Sequence, residues 1–349
     1  MTAGGVAAEP VGAGLPAAGR TPPAWPDRIP LAVLPTPLVP ASRLADALGL
    51  GSLYVKRDDL TGFAVAGNKA RPLEFLLAAA VRGGADTLVT GGAPGSNFCA
   101  AAAAAAQRAG LACYLVIAGD PVPPGPALAL ALAWGATVRW TRDADRASVD
   151  RALPAAAAEL TARGHCTQVI PRGGATAIGA MGYALAAFEL AGQLAEHGIR
   201  QARVVVPVGS GGTLAGLAAG NTLLGGPWTL AGGSASRPAA EMSRRVLGLA
   251  GDCLALLAGD RAVAAGVEVA GVEFAGVEIA DVRGPGHGLP SAEGTAAAEL
   301  AMRTEGLMVD PVYTAKALSL LASGPGTGPV VFWHTGGLLD VVAEAEGAR

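Results

Sequence analysis

Lys69 is one of only three lysines (Lys56, Lys69, Lys316) among 25 basic residues, so arginine meets nearly every need for a surface positive charge. A lysine kept under that bias points to work arginine cannot do. A desolvated lysine amine can lose its proton, attack a carbonyl carbon and form a Schiff base, whereas a guanidinium stays charged. Lys69 follows the turn pair Gly67-Asn68 and precedes Leu73, Leu76, Leu77 and Ala80, which recur at helical spacing. That spacing puts the amine at a helix N-terminus, where the positive end of the dipole opposes protonation. A solvated lysine capping a turn fits the same residues.

Four further stretches carry chemistry. Gly209, Ser210, Gly211, Gly212 and Thr213 follow a run of valines and precede a helix expected near Leu214. Consecutive backbone N–H groups there can converge on a phosphate, with two hydroxyls as further donors, although a plain tight turn uses glycine too. A dinucleotide fingerprint is a weaker fit: its third glycine position holds Leu214, and no acidic residue ends a strand about 20 residues on. Ser96 and Asn97 open another helix and can receive a carboxylate, or Ser96 can simply cap it. Asp310-Pro311 predicts a helix start with Tyr313 and Thr314 in its first turn. His334-Thr335-Gly336-Gly337 follows the last strand, and an isolated histidine there reads as structural.

The elements that must position these residues alternate. Strands are expected over 87–90, 113–117, 137–140, 167–170, 203–208 and 330–333, and helices over 98–109, 126–134, 147–163, 175–197 and 295–304, with Ser42 capping an earlier one. Strands separated by helices of this length predict βαβ units and a mostly parallel sheet covered on both faces. Residues 232–266 show little periodicity, and the pentads GVEVA-GVEFA-GVEIA from 266 to 280 suit neither helix nor strand until their end, taken as a strand reaching Val282.

The chain of 349 residues is long enough for two domains. A net charge of −3 with dispersed basic residues argues against nucleic acid as a partner. Cys99, Cys113, Cys166 and Cys253 lack metal spacing, so neither a zinc site nor a disulfide scaffold is expected. Residues 1–28 read as a disordered leader rather than a signal peptide, and no later stretch reads as a membrane span. A cytoplasmic soluble protein is the expectation.

The ordered set PTPL (35–38), YVKRDDLTG (54–62), GNKARPLEF (67–75), Ser96-Asn97, GSGGT (209–213), GxxxDPVYTxKA (306–317) and HTGG (334–337) resembles the 1-aminocyclopropane-1-carboxylate deaminase and D-cysteine desulfhydrase family. The resemblance runs from about residue 30 to 340. It implies a two-domain α/β enzyme of fold type II, the tryptophan synthase β-like fold, holding pyridoxal 5'-phosphate between domains and usually forming a homodimer. The larger domain would comprise 29–74 and 175–349, and the smaller one 75–174. Lys69 would be the Schiff-base lysine and proton shuttle, with Asn68 and Asn97 beside the cofactor and Asn97 near its ring hydroxyl. Ser96 would hold the substrate carboxylate and assist proton transfer, residues 209–213 would hold the phosphate, and Tyr313 would lie against the ring or substrate as a further catalytic residue.

The resemblance also bears on which reaction is run. Thr314 stands where the deaminases place a glutamate facing the pyridine nitrogen, and Thr335 where they usually carry leucine. A hydroxyl at Thr314 should leave that nitrogen neutral, which suits expulsion of a good β leaving group better than opening of a cyclopropane. The expectation is therefore β-elimination on a small amino acid, giving a keto acid and ammonia. His287 replaces a common tyrosine, as a substrate contact or a proton donor to the leaving group. Phe98 follows Ser96-Asn97 in place of glutamine or histidine, and Pro94-Gly95 replace Ile-Gln. These changes surround the substrate, so a different β-substituted amino acid stands beside D-cysteine. Ring opening of aminocyclopropane carboxylate, a nicotinamide oxidoreductase and a degenerate binding scaffold are the competing readings.

Overall fold

The computed structural model describes residues 25–264, 274–322 and 328–347. Its strands form two sheets. The larger orders its six strands β1-β2-β10-β7-β8-β9: β1 (Leu38–Pro40), β2 (Ser52–Arg57), β7 (Ala202–Val208), β8 (Trp228–Ser234), β9 (Val277–Asp281) and β10 (Pro329–His334). The smaller sheet has β3 (Thr87–Gly92), β4 (Ala112–Ile117), β5 (Thr137–Trp140) and β6 (Thr167–Val169) in the order β5-β4-β3-β6. Only β1 runs antiparallel to its neighbour. The expected parallel α/β architecture is thus present. The smaller sheet comes wholly from residues 87–169, and the larger one from either side of them.

Helices cover both faces: α1 (Ser42–Leu48), α2 (Ala70–Arg82), α3 (Asn97–Arg108), α4 (Pro126–Ala133), α5 (Ala147–Ala162), α6 (Ala177–Glu196), α7 (Gly212–Leu223), α8 (Ala239–Ala264), α9 (Ala292–Glu305), α10 (Thr314–Leu318) and α11 (Leu338–Gly347). A parallel sheet buried on both faces needs apolar residues pointing both ways. In β7, Val204, Val205, Val206 and Val208 are all buried as that demands.

The helices pack by losing side chains. On α7, a Cβ at Gly216 would lie 2.1 Å from the Ala180 carbonyl oxygen of α6, and one at Gly220 would lie 2.6 Å from Ala187 Cβ. On α6 itself, a Cβ at Gly182 would meet the Arg71 carbonyl oxygen of α2 at 2.5 Å. Helix α6 therefore touches backbone on two sides. It is long and apolar enough to cross a membrane by length and composition, a case the sequence reading did not pick out, but its apolar residues from Ala180 to Leu194 line the core instead. Alanines 100 to 106 of α3, all buried, are likewise core rather than compositional filler.

Several expectations are corrected. Residues 232–266, left without elements, hold the end of β8, from Gly232 to Ser234, and the 26-residue α8. Strand β8 escapes notice because Gly232 and Gly233 are poor strand formers. They are glycines because Leu214 and Ala317 press on them: a Cβ would lie 2.5 Å from Leu214 Cδ2 at one and 2.9 Å from Ala317 Cα at the other. In α8 the buried Met242, Val246, Ala250, Cys253 and Leu257 do keep helical spacing, diluted by intervening Ala and Gly.

Ser42 does not cap α1. Ala41 takes that position without a side-chain bond, and Glu305 of α9 instead accepts the Leu44 N–H at 2.9 Å. The leader expected through residue 28 is ordered from Trp25, whose ring meets Phe188 edge-on at 5.6 Å, while Arg28 pairs with Glu74. Its first 24 residues and the pentads up to 273 lie outside the described residues.

Gly216→Ala should cost about 2 kcal/mol or more, because backbone rather than a flexible side chain blocks the added carbon. Gly192→Ala on α6, where nothing lies within 4 Å, should gain up to about 1 kcal/mol from helix propensity. Thermal melts of the two variants should move in opposite directions; equal shifts would rule out the close α6–α7 contact.

Candidate active site

The central strands β2, β10 and β7 are adjacent and parallel, and the loops beyond their carboxyl ends meet. In a parallel sheet this is where ligands bind. The loop after β2 ends in a tight turn over Gly67–Lys69 that runs directly into α2. Gly67 has φ +52°, and a Cβ there would sit 2.5 Å from the Thr335 carbonyl oxygen beyond β10. Only glycine permits that approach. The contact lets Thr335 O accept the Asn68 N–H at 2.9 Å. On its other side, Asn68 Nδ2 donates to Thr213 Oγ1 at 3.1 Å, tying the lysine turn to the glycine loop after β7.

These loops, with those after β3 and β6, enclose a cavity of about 710 Å³. Lys69 lines it. Burial lowers its amine to about 8, against the pull of the nearby Asp310 carboxylate, which favours the charged form. The other two lysines are engaged elsewhere. Lys56 donates to Thr36 O at 2.6 Å and to Gln193 at 2.8 Å and pairs with Glu189. Lys316 donates to the carbonyls of Arg283 at 2.7 Å and Gly286 at 3.0 Å, holding the loop that carries His287. Rarity therefore marked two buried lysines and the half-buried Lys69, which alone of the three faces this cavity.

The glycine loop has the form of an anion cradle. Gly211 takes φ +99°, which glycine tolerates, and Gly212 begins α7. The N–H groups of Ser210, Gly211, Gly212 and Thr213 find no acceptor among the described residues. Four free donors at a helix N-terminus suit a phosphate. The Tyr313 ring covers Gly209, where a Cβ would lie 3.0 Å from its Cε1.

Across the cavity, Ser96 caps α3 by accepting the Cys99 N–H at 3.2 Å. Asn97 donates from Nδ2 to Asp340 at 2.6 Å, and its buried Oδ1 has no partner among the described residues. A buried acceptor without a donor is costly, and a ring hydroxyl would satisfy it. Phe98 packs into the core, close enough to Gly174 that a Cβ there would lie 2.7 Å from the Phe98 ring, and its edge reaches the cavity. His287 and Tyr313 meet through Nε2 and the phenol oxygen at 2.9 Å. Burial, reinforced by Arg146, lowers His287 to about 4, and burial raises Tyr313 to about 12, so both are neutral at pH 7.

Two expectations shift here. Asp310 does not start a helix at once. Its carboxylate accepts the N–H groups of Val312, Tyr313 and Thr314 at 2.7 to 3.1 Å, and α10 begins at Thr314. Thr314 is then fully buried, 3.3 Å from both Thr335 Oγ1 and Gly336 O, and the residue of this pair in the cavity wall is Thr335. Sequence reasoning also passed over Asp340, raised to about 6 by burial, and four arginines on the rim, Arg146, Arg172, Arg237 and Arg245. Nothing in their local sequence distinguishes them from surface residues.

A desolvated lysine, a glycine loop with free N–H donors and the capped N-terminus of α3 face one cavity at the carboxyl ends of parallel strands, an arrangement that suits a cofactor bearing an aldehyde and a phosphate. The chain belongs to a family of that kind: residues 29–336 match the pyridoxal-phosphate dependent enzymes, which removes the nicotinamide alternative. It is 39 % identical over 323 residues to the D-cysteine desulfhydrase of Salmonella choleraesuis (strain SC-B67), covering 89 % of this chain and 94 % of that protein. The Salmonella paratyphi C (strain RKS4594) desulfhydrase gives the same identity and coverage. A crystal structure described as an ACC deaminase homologue superposes with a TM-score of 0.81 at 31 % identity, covering 92 % of this chain and 95 % of that one.

Purified protein should show a visible absorption band that Lys69→Ala removes. Cofactor capture by the cofactor-free protein should speed up as pH rises through about 8, because the free amine is the attacking form. A capture rate flat from pH 7 to 9 would contradict a titrating Lys69.

Proposed function

We propose that this chain is a pyridoxal phosphate-dependent lyase of the D-cysteine desulfhydrase type, expelling the β-substituent of a small amino acid and releasing a keto acid and ammonia. The observation that carries the proposal is the pairing, in one cavity, of a lysine amine lowered to about 8 with two separate anion cradles. Bound pyridoxal phosphate supplies the electron sink for the pair left at Cα when its proton departs.

The chain's own groups do the rest. Ser210 to Thr213 would hold the cofactor's phosphate with their unpaired N–H groups, and Asn97 Oδ1 would accept from a ring hydroxyl. Ser96 and the N-terminus of α3 hold the substrate carboxylate, which turns the Cα–H bond toward Lys69. The free amine of Lys69 takes that proton; the Cβ–substituent bond then breaks, and the substituent leaves with the electron pair. Tyr313, in contact with neutral His287, keeps its proton near pH 7 and donates it to the departing group. Asp310 beside Lys69 stabilises the ammonium that results. Water then completes the release of keto acid and ammonia.

This assignment uses a domain of 29–74 and 175–349, carrying Lys69, and another of 75–174, carrying Ser96. We place the enzyme in the cytoplasm, since its four cysteines are free thiols of the kind a reducing compartment keeps. The homodimer rests on the family resemblance alone.

Assay of D- and L-β-substituted amino acids, with 1-aminocyclopropane-1-carboxylate alongside, should give keto acid from the β-substituted compounds of one hand. Release only from the cyclopropane would turn the assignment to a deaminase. Ser96→Ala should raise KM about tenfold, the worth of one hydrogen bond to a charged group, whereas Ser96→Thr, which keeps the cap, should restore most of it. A change confined to kcat would remove Ser96 from carboxylate binding.

A further inference from the structure

The cavity wall holds more positive charge than the two anion cradles call for. Three of the rim arginines have partners. Arg172 forms a two-point pair with Asp150 at 2.5 and 2.7 Å, Arg237 pairs with Glu241, and Arg245 donates to the Ser210 carbonyl at 2.9 Å. The Arg146 guanidinium makes no hydrogen bond or ion pair with any described residue; only its backbone carbonyl is engaged, by the Val149 N–H at 3.3 Å. It stands just before the first turn of α5, lines the cavity and is half-buried.

Its neighbours fix which end of the cavity it serves. Arg146 lies within electrostatic reach of the Tyr313 phenol and of His287, the pair assigned above to the departing group, of Arg172 and Arg237, and of the Asp150 carboxylate that Arg172 already holds. A partly desolvated guanidinium beside two like charges, with its nearest carboxylate already engaged, is unfavourable where it stands. That cost is recovered only when an anion enters. A phosphate in the glycine loop already has four free backbone donors, and the substrate carboxylate has Ser96 and a helix N-terminus, so neither needs Arg146.

We propose that the preferred substrate is an amino acid whose β-substituent carries a second negative charge, and that Arg146 is the residue that selects it. A guanidinium binds a carboxylate, sulfonate or phosphate through two parallel hydrogen bonds, which gives geometric choice as well as attraction. The proposal rests on the lyase assignment above. His287 and Tyr313 face the substituent, and Arg146 reads the charge beyond them.

O-acetylserine and O-succinylserine share an ester leaving group and differ in one distal carboxylate. With holoenzyme, the ratio of kcat/KM for the succinyl over the acetyl ester, in the hand that reacts, should be ten or more and should sit mainly in KM. Arg146→Gln should bring that ratio near one, and Arg146→Lys should leave it in between. A ratio near one in the unaltered enzyme, or one that survives Arg146→Gln, overturns the proposal while leaving the lyase intact. If Arg146→Gln needs tenfold more pyridoxal phosphate to half-develop the visible band, the arginine serves the cofactor phosphate and the proposal also falls. Should neither ester release keto acid, the lyase assignment stands or falls on the wider panel of β-substituted amino acids. Calorimetry with succinate and acetate then decides the present one: succinate should bind at least tenfold tighter, and the preference should vanish in Arg146→Gln. Equal binding would overturn it.

Discussion

The structure turns on a backbone contact with no room for a side chain. Gly67 comes so close to the Thr335 carbonyl that a Cβ would lie 2.5 Å from it. That approach sets the Asn68 N–H on Thr335 O and draws the β2 and β10 loops into one wall. Lys69 is two residues from the contact and Thr213 is one hydrogen bond away, so the direction of the amine, the glycine cradle and the last strand are coupled through a few atoms.

A buried charge network stands behind that wall. Arg71, in the first turn of α2, bonds Asp58 at 2.8 Å and Glu189 of α6 at 2.9 and 3.0 Å, and Tyr183 donates to Asp58 at 2.6 Å. Burial alone would raise the Asp58 carboxyl, but the Arg71 guanidinium overrides it and holds the group well below the usual carboxylate range. Every member is paired, the condition under which buried charge is tolerated. The network joins the end of β2, the start of α2 and the middle of α6, so the turn bearing Lys69 is braced from below while its amine stays in the cavity.

The cavity separates its charges by position. Asp310 sits beside the lysine and Asp340 against Asn97, both raised by burial, while four arginines line the same cavity. Between them lies the neutral pair of His287 and Tyr313. A zwitterionic amino acid entering this field meets donors for its carboxylate on the α3 side and a positive rim beyond its side chain. Such a graded field orients a small ligand before any contact is made.

What the sequence determined by itself was local chemistry. The scarcity of lysine, the glycine run 209–213, the cap at Ser96 and the alternation of strand and helix each depend on neighbours within a few positions, and all were legible there. Position along α8 and β8 was not, because alanine and glycine dilute periodicity, and only the packing of Leu214 and Ala317 explains Gly232 and Gly233. Long-range pairings also lay beyond sequence reach: Glu305 capping α1, Asp310 beside Lys69, Asp340 on Asn97, and Thr335 rather than Thr314 in the cavity wall. Arg146 shows the reason most plainly. In the sequence it is one arginine among many, and only the fold, by leaving its guanidinium without a partner among the described residues while pairing Arg172 and Arg237, turns it into a free charge in the wall of the site.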